Sequence, residues 1–304
     1  MIAKSYPYMS TIQSILVTGV ATMDNHAANR GEKLLGNASS VKRRPDGRAY
    51  ISGQMQRYAL FSALDRLNES DPERGRTYVS NGDGISTDIA TDLRSDLGGF
   101  LDTNLGDYSG RRTAPLSATP AVALQPSEVG QDLLVRLKMS GKESEKKQAL
   151  ALNEVSQSDD MLMNFHLDIG AVGATRRYTY EKEAHVGTHY ERHVDDAEHA
   201  RRVRLFLEAT RSINDYANQA RQAVSGEPQR VLIVLDPGMS RKAIHYWKSD
   251  ATTQRNILRE LDARGAQYFL GDDAGSEDSV YDAYTKALAA LQTGGLYRPE
   301  FTAA

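Results

Sequence analysis

Three consecutive polar residues, Asp24, Asn25 and His26, follow the first apolar segment of the chain. A carboxylate beside an imidazole can transfer protons, so the triplet could be part of an acid–base site. The same residue types are common in turns, where their side chains bond the neighbouring backbone. Both interpretations remain open from the sequence, and the composition of the surrounding segment favours the turn.

A second group of candidate residues is a series of histidines, His185, His189 and His193. On a helix these side chains would share one face and could hold a metal ion. Gly187 and Thr188 interrupt the helical pattern, and no H-E-x-x-H motif is present, so an exposed polar segment is favoured. The chain also has neither a phosphate loop ending in Gly-Lys-Ser/Thr nor a G-x-S-x-G elbow. These residues predict no catalytic centre, metal or cofactor.

Another pattern favours phosphate binding. Ser52 and Gly53 precede a helical sequence, so they place free backbone N–H groups at a helix N-terminus, which attracts phosphate. Gln54 and Arg57 add side-chain donors on the first turn of this helix. A run of cations lies shortly before it: Lys42, Arg43 and Arg44. Such an arrangement grips a sugar–phosphate backbone without reading the bases.

The distribution of charge supports this prediction. The chain of 304 residues has a formal net charge of −3 at pH 7, yet residues 1–60 contain eight basic and three acidic side chains. A positive N-terminal part on an acidic body indicates a polyanion-binding surface, although a solvated loop would give the same count. The chain has no cysteine, which excludes disulfides and thiolate chemistry. No apolar run approaches the ~20 residues of a membrane span and no signal peptide is evident, so we expect a cytoplasmic protein without a membrane partner.

Apolar patterns predict the elements that position these residues. Strands are predicted at 11–20, 161–170, 231–235 and 267–270, and helices from 52, at 194–217, at 256–264 and at 280–291. Residues 21–50 are predicted to be one long polar loop. The interleaved elements favour an open sheet with helices on one face, and a doubly wound parallel sheet is the second choice.

Four segments of the chain carry a resemblance to a known family. The first strand and its asparagine-bearing loop span 15–29, and Ser52 to Arg57 form a Ser-x-Gln-x-x-Lys/Arg helix start. A segment with paired arginines and small residues spans 111–124, and a strand–helix unit spans 165–206. In order and spacing these segments resemble the CRISPR-associated RAMP superfamily, and within it the backbone (Cas-seven or DevR-type) subunit of type I, I-B-like, Cascade complexes.

The resemblance implies an α+β fold, a modified RRM- or ferredoxin-like palm in which helices back an antiparallel sheet. It implies a single domain, 1–304, with a fingers-like insertion at 61–110 and a thumb-like insertion at 125–160. Members of the family multimerise along a guide RNA (crRNA), which each thumb kinks; the wedge candidates here are Leu133 and Leu134. Base pairing with the guide then reads the target DNA strand.

The resemblance also implies which residues contact the guide. By family position these are Asn25, His26, Asn29, Lys42, Arg43, Arg44, Ser52, Gln54, Arg57, Arg111 and Arg112. The implied partners are crRNA, the paired target DNA strand, copies of the chain and other CRISPR effector subunits, and no enzymatic activity is implied. Two alternatives stay open: a type III-like RAMP subunit that cleaves target RNA through Asp24, and an unrelated α/β metabolic enzyme.

Overall fold

The computed structural model describes residues 11–28, 30–34, 38–84, 86–102, 110–138, 147–217, 219, 223–275 and 277–301. The strands are β1 Ser14–His26, β2 Arg30–Leu34, β3 Ala38–Val41, β4 Tyr50–Ile51, β5 Phe100–Asp102, β6 Gly110–Arg112, β7 Leu116–Ala118, β8 Ala121–Ala123, β9 Val129–Lys138, β10 Lys147–Asp168, β11 Ala174–Glu181, β12 Ala184–Arg192, β13 Arg230–Asp236 and β14 Gln267–Asp272. The α-helices are α1 Gly53–Ser70, α2 Leu93–Gly98, α3 Asp196–Ala209, α4 Ala251–Arg264 and α5 Val280–Thr293, and 3₁₀ helices span Ile169–Ala171 and Lys242–Lys248.

The sheet is built around β1, whose first eight residues are all buried, as expected of a strand covered on both faces. β1 lies between β10 and β13 and is antiparallel to both, with Val17 opposite Phe165 on one side and Ile233 on the other. β14 extends the sheet beyond β13, and β7 and β8 pair with β10 at the other edge, again antiparallel. β3 adds a single parallel bridge to β10. The α+β class predicted for the chain is confirmed at this level.

Helices cover both faces of the sheet, not one face as the pattern predicted. Alternate residues of a strand point to opposite faces. Val17, Phe165 and Ile233 pack in the larger core with α1, α3 and α5. The neighbouring Leu16 and Leu232 pack in a second core with α4 and the 3₁₀ helix Lys242–Lys248. The helix α4 and the 3₁₀ helix Lys242–Lys248 therefore pack on the face opposite to α1, α3 and α5.

Two predictions about connectivity are wrong. β13 and β14 are antiparallel, with Val231 opposite Gly271, so the doubly wound parallel sheet is excluded. The predicted loop at 21–50 contains the end of β1 and the strands β2, β3 and β4. β1 continues to His26 because the 22-residue β10 supplies a pairing partner as far as Ser156. A sequence pattern cannot show the length of a partner strand that lies far along the chain.

The insertions at 61–110 and 125–160 stay predictions, and the structure shows which elements these segments contain. α1 runs to Ser70 and its Phe61 and Leu64 lie in the larger core, so the first ten residues of the predicted segment 61–110 belong to the core helix. In the segment 125–160, β9 pairs with the first half of β10 as a long hairpin, from Val129 opposite Ser156 to Lys138 opposite Lys147. Leu133 on β9 is exposed. Leu134 lies on the same strand, and its side chain is outside the described part.

None of the helices in the described part of the chain combines the length and the apolar sequence that a membrane span requires.

Candidate nucleic-acid interface

The N-terminus of α1 lies at the edge of the sheet and is built as the sequence predicted. Ser52 is the N-cap residue, with extended backbone angles, and its Oγ accepts a hydrogen bond from the Met55 N–H at 3.3 Å. A Cβ atom on Gly53 would lie 3.2 Å from the Ala118 carbonyl oxygen, so glycine lets the helix start close to β7. No acidic residue occupies the first turn, and Gln54 is exposed. The positive end of this helix is therefore open to an anion.

Arg57 has a partly structural role that the sequence did not reveal. Its Nη2 donates a hydrogen bond to the Gly98 carbonyl oxygen at 2.7 Å, which ties α1 to the end of α2. The guanidinium of Arg94 lies 4.6 Å from the centre of the Phe61 ring, and that of Arg57 lies 5.9 Å from it. Burial lowers the pKa of both arginines. With Gln54 they line a cavity of about 310 Å³, so Arg94 joins the predicted pair there.

The cations at 42–44 lie on the turn between β3 and β4. Arg43 and Arg44 are exposed, and within the described residues neither is within salt-bridge distance of a carboxylate. The turn itself is held by backbone hydrogen bonds between Arg44 and Arg48 and by an ion pair between Arg48 and Asp46 at 2.6 Å. Lys42 is half-exposed and its carbonyl accepts from the Tyr50 N–H at 3.1 Å. The pKa of Asp46 on this turn is lowered by the hydrogen bond from Arg48 and, to a smaller extent, by the charge of Arg44, so Arg44 has an acidic neighbour although it forms no salt bridge within the described residues.

A cavity of about 580 Å³ lies beneath this turn. Its rim includes Arg43, Arg44 and Lys248, and its apolar wall includes Val122 and Leu162. Asn164 also lines the cavity and is 8% exposed. The Oδ1 atom of Asn164 has no hydrogen-bond partner within the described residues. Pro120, on the same cavity, packs beside Gly53 at the start of α1. A cationic rim, an apolar wall and a free amide oxygen suit an unstacked base and its phosphate.

Asn25 and His26 end β1 with different surroundings. Asn25 is exposed and adopts a left-handed backbone conformation at φ 48°, a region that asparagine tolerates better than most residues. His26 is 2% exposed and its Nε2 lies 3.0 Å from Asp159 Oδ2. Burial alone would raise the pKa of Asp159, but hydrogen bonds from His26, Ser156 and Ser127 leave that pKa below its usual value. His26 is therefore a structural residue and does not face a ligand.

Asp24 is exposed and lines a cavity of about 600 Å³ that it shares with Asn25 and Asp132. The imidazole of His26 is paired with Asp159, so Asp24 and His26 do not form the acid–base pair that the triplet suggested. Asn29 lies outside the described residues.

Arg111 and Arg112 lie on β6 and have opposite roles. Arg111 is exposed, whereas Arg112 is 6% exposed and all three of its guanidinium nitrogens donate to groups inside the protein. The acceptors are Asp96, the carbonyl oxygens of Ala171 and Ala174, and Thr175 Oγ1. Successive side chains of a strand point to opposite sides, which separates the two residues. Arg112 is thus part of the protein interior and is not available to RNA.

The sequence also missed a buried ionic network around α3. Arg202 is fully buried and donates to Asp96 at 2.6 Å and to Glu198 at 2.6 Å. Arg201 is 5% exposed and pairs with Glu198 and with Asp71 at the end of α1. In the sequence these arginines lie outside the apolar stripe formed by Val203, Phe206 and Leu207, which predicts an exposed position. Their only sequence signal is the acidic Glu198 three and four residues earlier, which is common on exposed helices.

His185 and His189 lie on β12 of the β11–β12 hairpin, and His193 follows this strand, with its Nε2 2.8 Å from Thr175 Oγ1, so none of the three is on a helix. The ring of His185 packs beside Tyr178, which pairs across the hairpin with Thr188. His189 pairs with Arg177, so it lies on the face of the hairpin opposite to Tyr178. His185 pairs with Tyr180 and lies on the same face as Tyr178, because a bulge near Tyr180 shifts the register between the two histidines. The described residues contain no group of three or more metal-ligating side chains.

Comparisons with known proteins identify the family. The family model "CRISPR-associated negative auto-regulator DevR/Csa2" matches residues 17–235. A solved structure titled "CRISPR RNA-guided surveillance complex" contains a chain of similar fold, with a TM-score of 0.53 at 14% identity over 93% of this chain and 94% of that chain. Another, titled "CRISPR RNA-guided surveillance complex, pre-nicking", gives a TM-score of 0.57 at 13% identity over 91% of this chain and 99% of that chain. No curated protein sequence matches the chain.

The matched segment contains the Ser52–Arg57 helix start and the paired arginines at 111 and 112, which carried the resemblance seen in the sequence. The match over most of the chain excludes the unrelated metabolic enzyme. The chain belongs to the CRISPR-associated DevR/Csa2 family.

Proposed function

We propose that this protein is the backbone subunit of a type I CRISPR surveillance complex, in which copies of it bind a guide RNA side by side and present it for pairing with a target DNA strand. The observation that carries the proposal is the pair of exposed arginines, Arg43 and Arg44, which form no salt bridge within the described residues and lie beside the N-terminus of α1. Within this family, a cationic surface that offers no base-reading pattern suits a guide whose sequence varies.

The fold supports an RRM-like palm. β13, β1, β10 and the β7–β8 pair are adjacent in that order, α1 follows β1, and α3 follows β10. This is the strand order of a split β-α-β-β-α-β unit. An ordinary RRM stacks bases on the open face of its sheet. Here α4 and the 3₁₀ helix with Trp247 cover part of that face, and Trp247 Nε1 donates to the Thr18 carbonyl oxygen at 3.0 Å. The guide would therefore lie along the edge marked by α1, Arg43 and Arg44.

The β9–β10 hairpin is the proposed thumb. Leu133 is 59% exposed on β9, so its side chain is accessible to a partner. An apolar side chain that inserts between bases unstacks them, which suits a wedge that kinks a guide strand. In this proposal Leu133 and Leu134 act on the RNA held by the palm.

The direct test is co-purification of the chain with guide RNA and partner subunits, followed by mass measurement of the assembly. Several copies of the chain on one guide would support the proposal. A chain that stays monomeric and does not bind RNA at low salt would refute the proposal.

We further propose that the protein does not cleave its target. The cleaving alternative has one observation in its favour, because Asp24 and Asp132 line the same cavity and two carboxylates can recruit a metal ion. We expect an assembled complex to leave complementary RNA intact in the presence of Mg²⁺. Cuts at regular intervals that disappear in Asp24→Ala would place the protein in the cleaving branch instead.

A further inference from the structure

The β11–β12 hairpin is a separate two-stranded sheet that pairs with no other strand of the described chain. Residues 176–186 are all exposed. A hairpin of this kind is at best marginally stable in water, so large aromatic side chains on it gain little from folding. They are better explained by a contact that the hairpin makes with another molecule.

One face of the hairpin carries a continuous set of rings and cations, which we call the aromatic strip. Arg176 is opposite Tyr190, and its guanidinium lies 5.2 Å from the centre of the Tyr178 ring. The His185 ring lies 5.5 Å from Tyr178 and 5.7 Å from the Tyr180 ring, measured between ring centres. The strip comprises Arg176, Tyr178, Tyr180, His185 and Tyr190.

The strip continues into a cavity of about 630 Å³ at the base of the hairpin. Arg176, Tyr178 and Tyr190 line this cavity together with Arg111 and Tyr297. Both arginines are exposed, and within the described residues neither is within salt-bridge distance of a carboxylate. The acid that lines the cavity is Asp168, which accepts hydrogen bonds from the backbone of Gly170 and Ala171 and whose pKa is raised by burial. The cavity therefore combines two exposed arginines, which form no salt bridge within the described residues, with one half-buried carboxyl group.

Exposed apolar surface is concentrated here. Ten large hydrophobic side chains are exposed in the described residues, and five of them lie on the hairpin or in its cavity: Tyr178, Tyr180, Val186, Met239 and Tyr297. A cluster of this kind marks an interaction site. The opposite face differs, because Arg177 there is neutralised by Glu191 at 2.9 Å. The two faces of the hairpin thus have different chemistry, and one of them suits a polyanion with flat rings.

We propose that the aromatic strip and its cavity bind single-stranded DNA, namely the strand left unpaired when the guide pairs with its target. Tyrosine and histidine rings stack on bases of any sequence, and Arg111 and Arg176 neutralise phosphates. The exposed arginines beside the rings supply both charge and stacking surface for a nucleic-acid strand, and a protein partner is one of the outcomes that the test separates. That this strand is the unpaired DNA strand rests on the proposed function. The contact between the hairpin and single-stranded DNA does not depend on guide binding.

The test measures binding of a fluorescent polythymidine DNA, which has no complementarity to the guide, to the purified guide-loaded complex. Tyr178→Ala combined with Tyr180→Ala should weaken binding about tenfold or more, since each stacked base contributes roughly 1–3 kcal/mol. Arg176→Ala should weaken it and flatten its salt dependence. Arg177→Ala on the opposite face and Tyr281→Ala, an exposed tyrosine on α5, are the matched controls and should leave binding unchanged.

Guide content and assembly mass are measured on the same samples. If no guide RNA is loaded at all, the proposed function fails, and that result is independent of the hairpin. DNA binding that is insensitive to both tyrosines would overturn the inference. It would also be overturned if the double variant lost guide loading, because the strip would then belong to the guide groove. Loss of subunit assembly would likewise assign the strip to a protein interface.

Discussion

Arg202 and Arg44 are the same residue type in opposite surroundings. Arg202 is fully buried in α3 and donates to Glu198, to Asp96 and to the carbonyl oxygens of Ile89 and Ala90. Arg44 is exposed on the β3–β4 turn without a carboxylate partner among the described residues. A buried charge is tolerated only when its hydrogen bonds and its counter-charge are supplied inside the protein. An exposed and unpaired charge does not contribute to the fold in this way and remains available for a ligand.

The buried ionic network should show the largest effect on stability. Asp96 is fully buried and joins Arg112, Arg202 and the Gly173 N–H. Asp96→Ala would leave the buried guanidinium of Arg112 without a counter-charge and that of Arg202 with Glu198 alone, which costs about 3–5 kcal/mol of unfolding free energy. Urea denaturation measures this loss. Glu73→Ala, an exposed acid just after α1, is the control and should change stability by less than ~0.5 kcal/mol. Equal losses of unfolding free energy in Asp96→Ala and Glu73→Ala would contradict the stabilising role of the buried network.

Buried histidines without a carboxylate partner should make the fold sensitive to acid. Burial lowers the pKa of His166 to about 4 and that of His199 to about 4. Both folded-state values lie below the unfolded value of about 6.5, so the unfolded chain takes up protons first as the pH falls. The stabilising contribution is complete above pH ~6.5 and is lost between there and pH 4, at about 3 kcal/mol for each histidine.

This pH dependence is measured by urea denaturation at several pH values. In His166→Phe the loss of stability between pH 6.5 and 4 should be smaller than in the native protein. His189→Gln, an exposed position on β12, should reproduce the native pH profile. An unchanged profile in His166→Phe would show that folding does not shift the pKa of this imidazole.

Arg57 is neither fully buried like Arg202 nor fully exposed like Arg44, so its substitution should affect both stability and guide binding. Arg57→Ala removes the hydrogen bond to the Gly98 carbonyl oxygen, so we expect a loss of about 1–2 kcal/mol in unfolding free energy. We also expect weaker guide binding, because the guanidinium lines the cavity beside Gln54. Gln54→Ala should weaken RNA binding without a change in stability. Normal RNA affinity in Arg57→Ala would make this residue structural only.

Three of the four Arg-Arg pairs in the sequence have clearly different surroundings in the structure. Arg43 and Arg44 both face solvent on a turn, while Arg111 and Arg112 divide between surface and interior because strand residues alternate. The third pair, Arg201-Arg202, is buried because α3 packs against α1 and contacts Asp96 of α2. Sequence patterns predicted the main strands and the Ser52 helix start, and the family resemblance implied the α+β class. The patterns could not predict which acidic residues, far away along the chain, pair with an arginine and so allow it to be buried.

The same limit applies to His26 and to the aromatic strip. The counter-charge of His26 is Asp159, which is brought to it only by the register between β1 and β10. The strip depends on a bulge near Tyr180, and spacing along the chain does not show which residues a bulge brings together. Local signals such as an N-cap serine are readable because they act within one turn.

The most direct test of the proposed guide contact is the salt dependence of guide RNA binding in the variant with Lys42→Ala, Arg43→Ala and Arg44→Ala. Each phosphate neutralised on a single strand contributes about −0.7 to the log–log slope of affinity against salt, so removal of three cations should reduce the slope by about 2. The unfolding free energy should stay within ~0.5 kcal/mol of the native value. A native salt slope with native stability would contradict the proposal that this turn holds the guide.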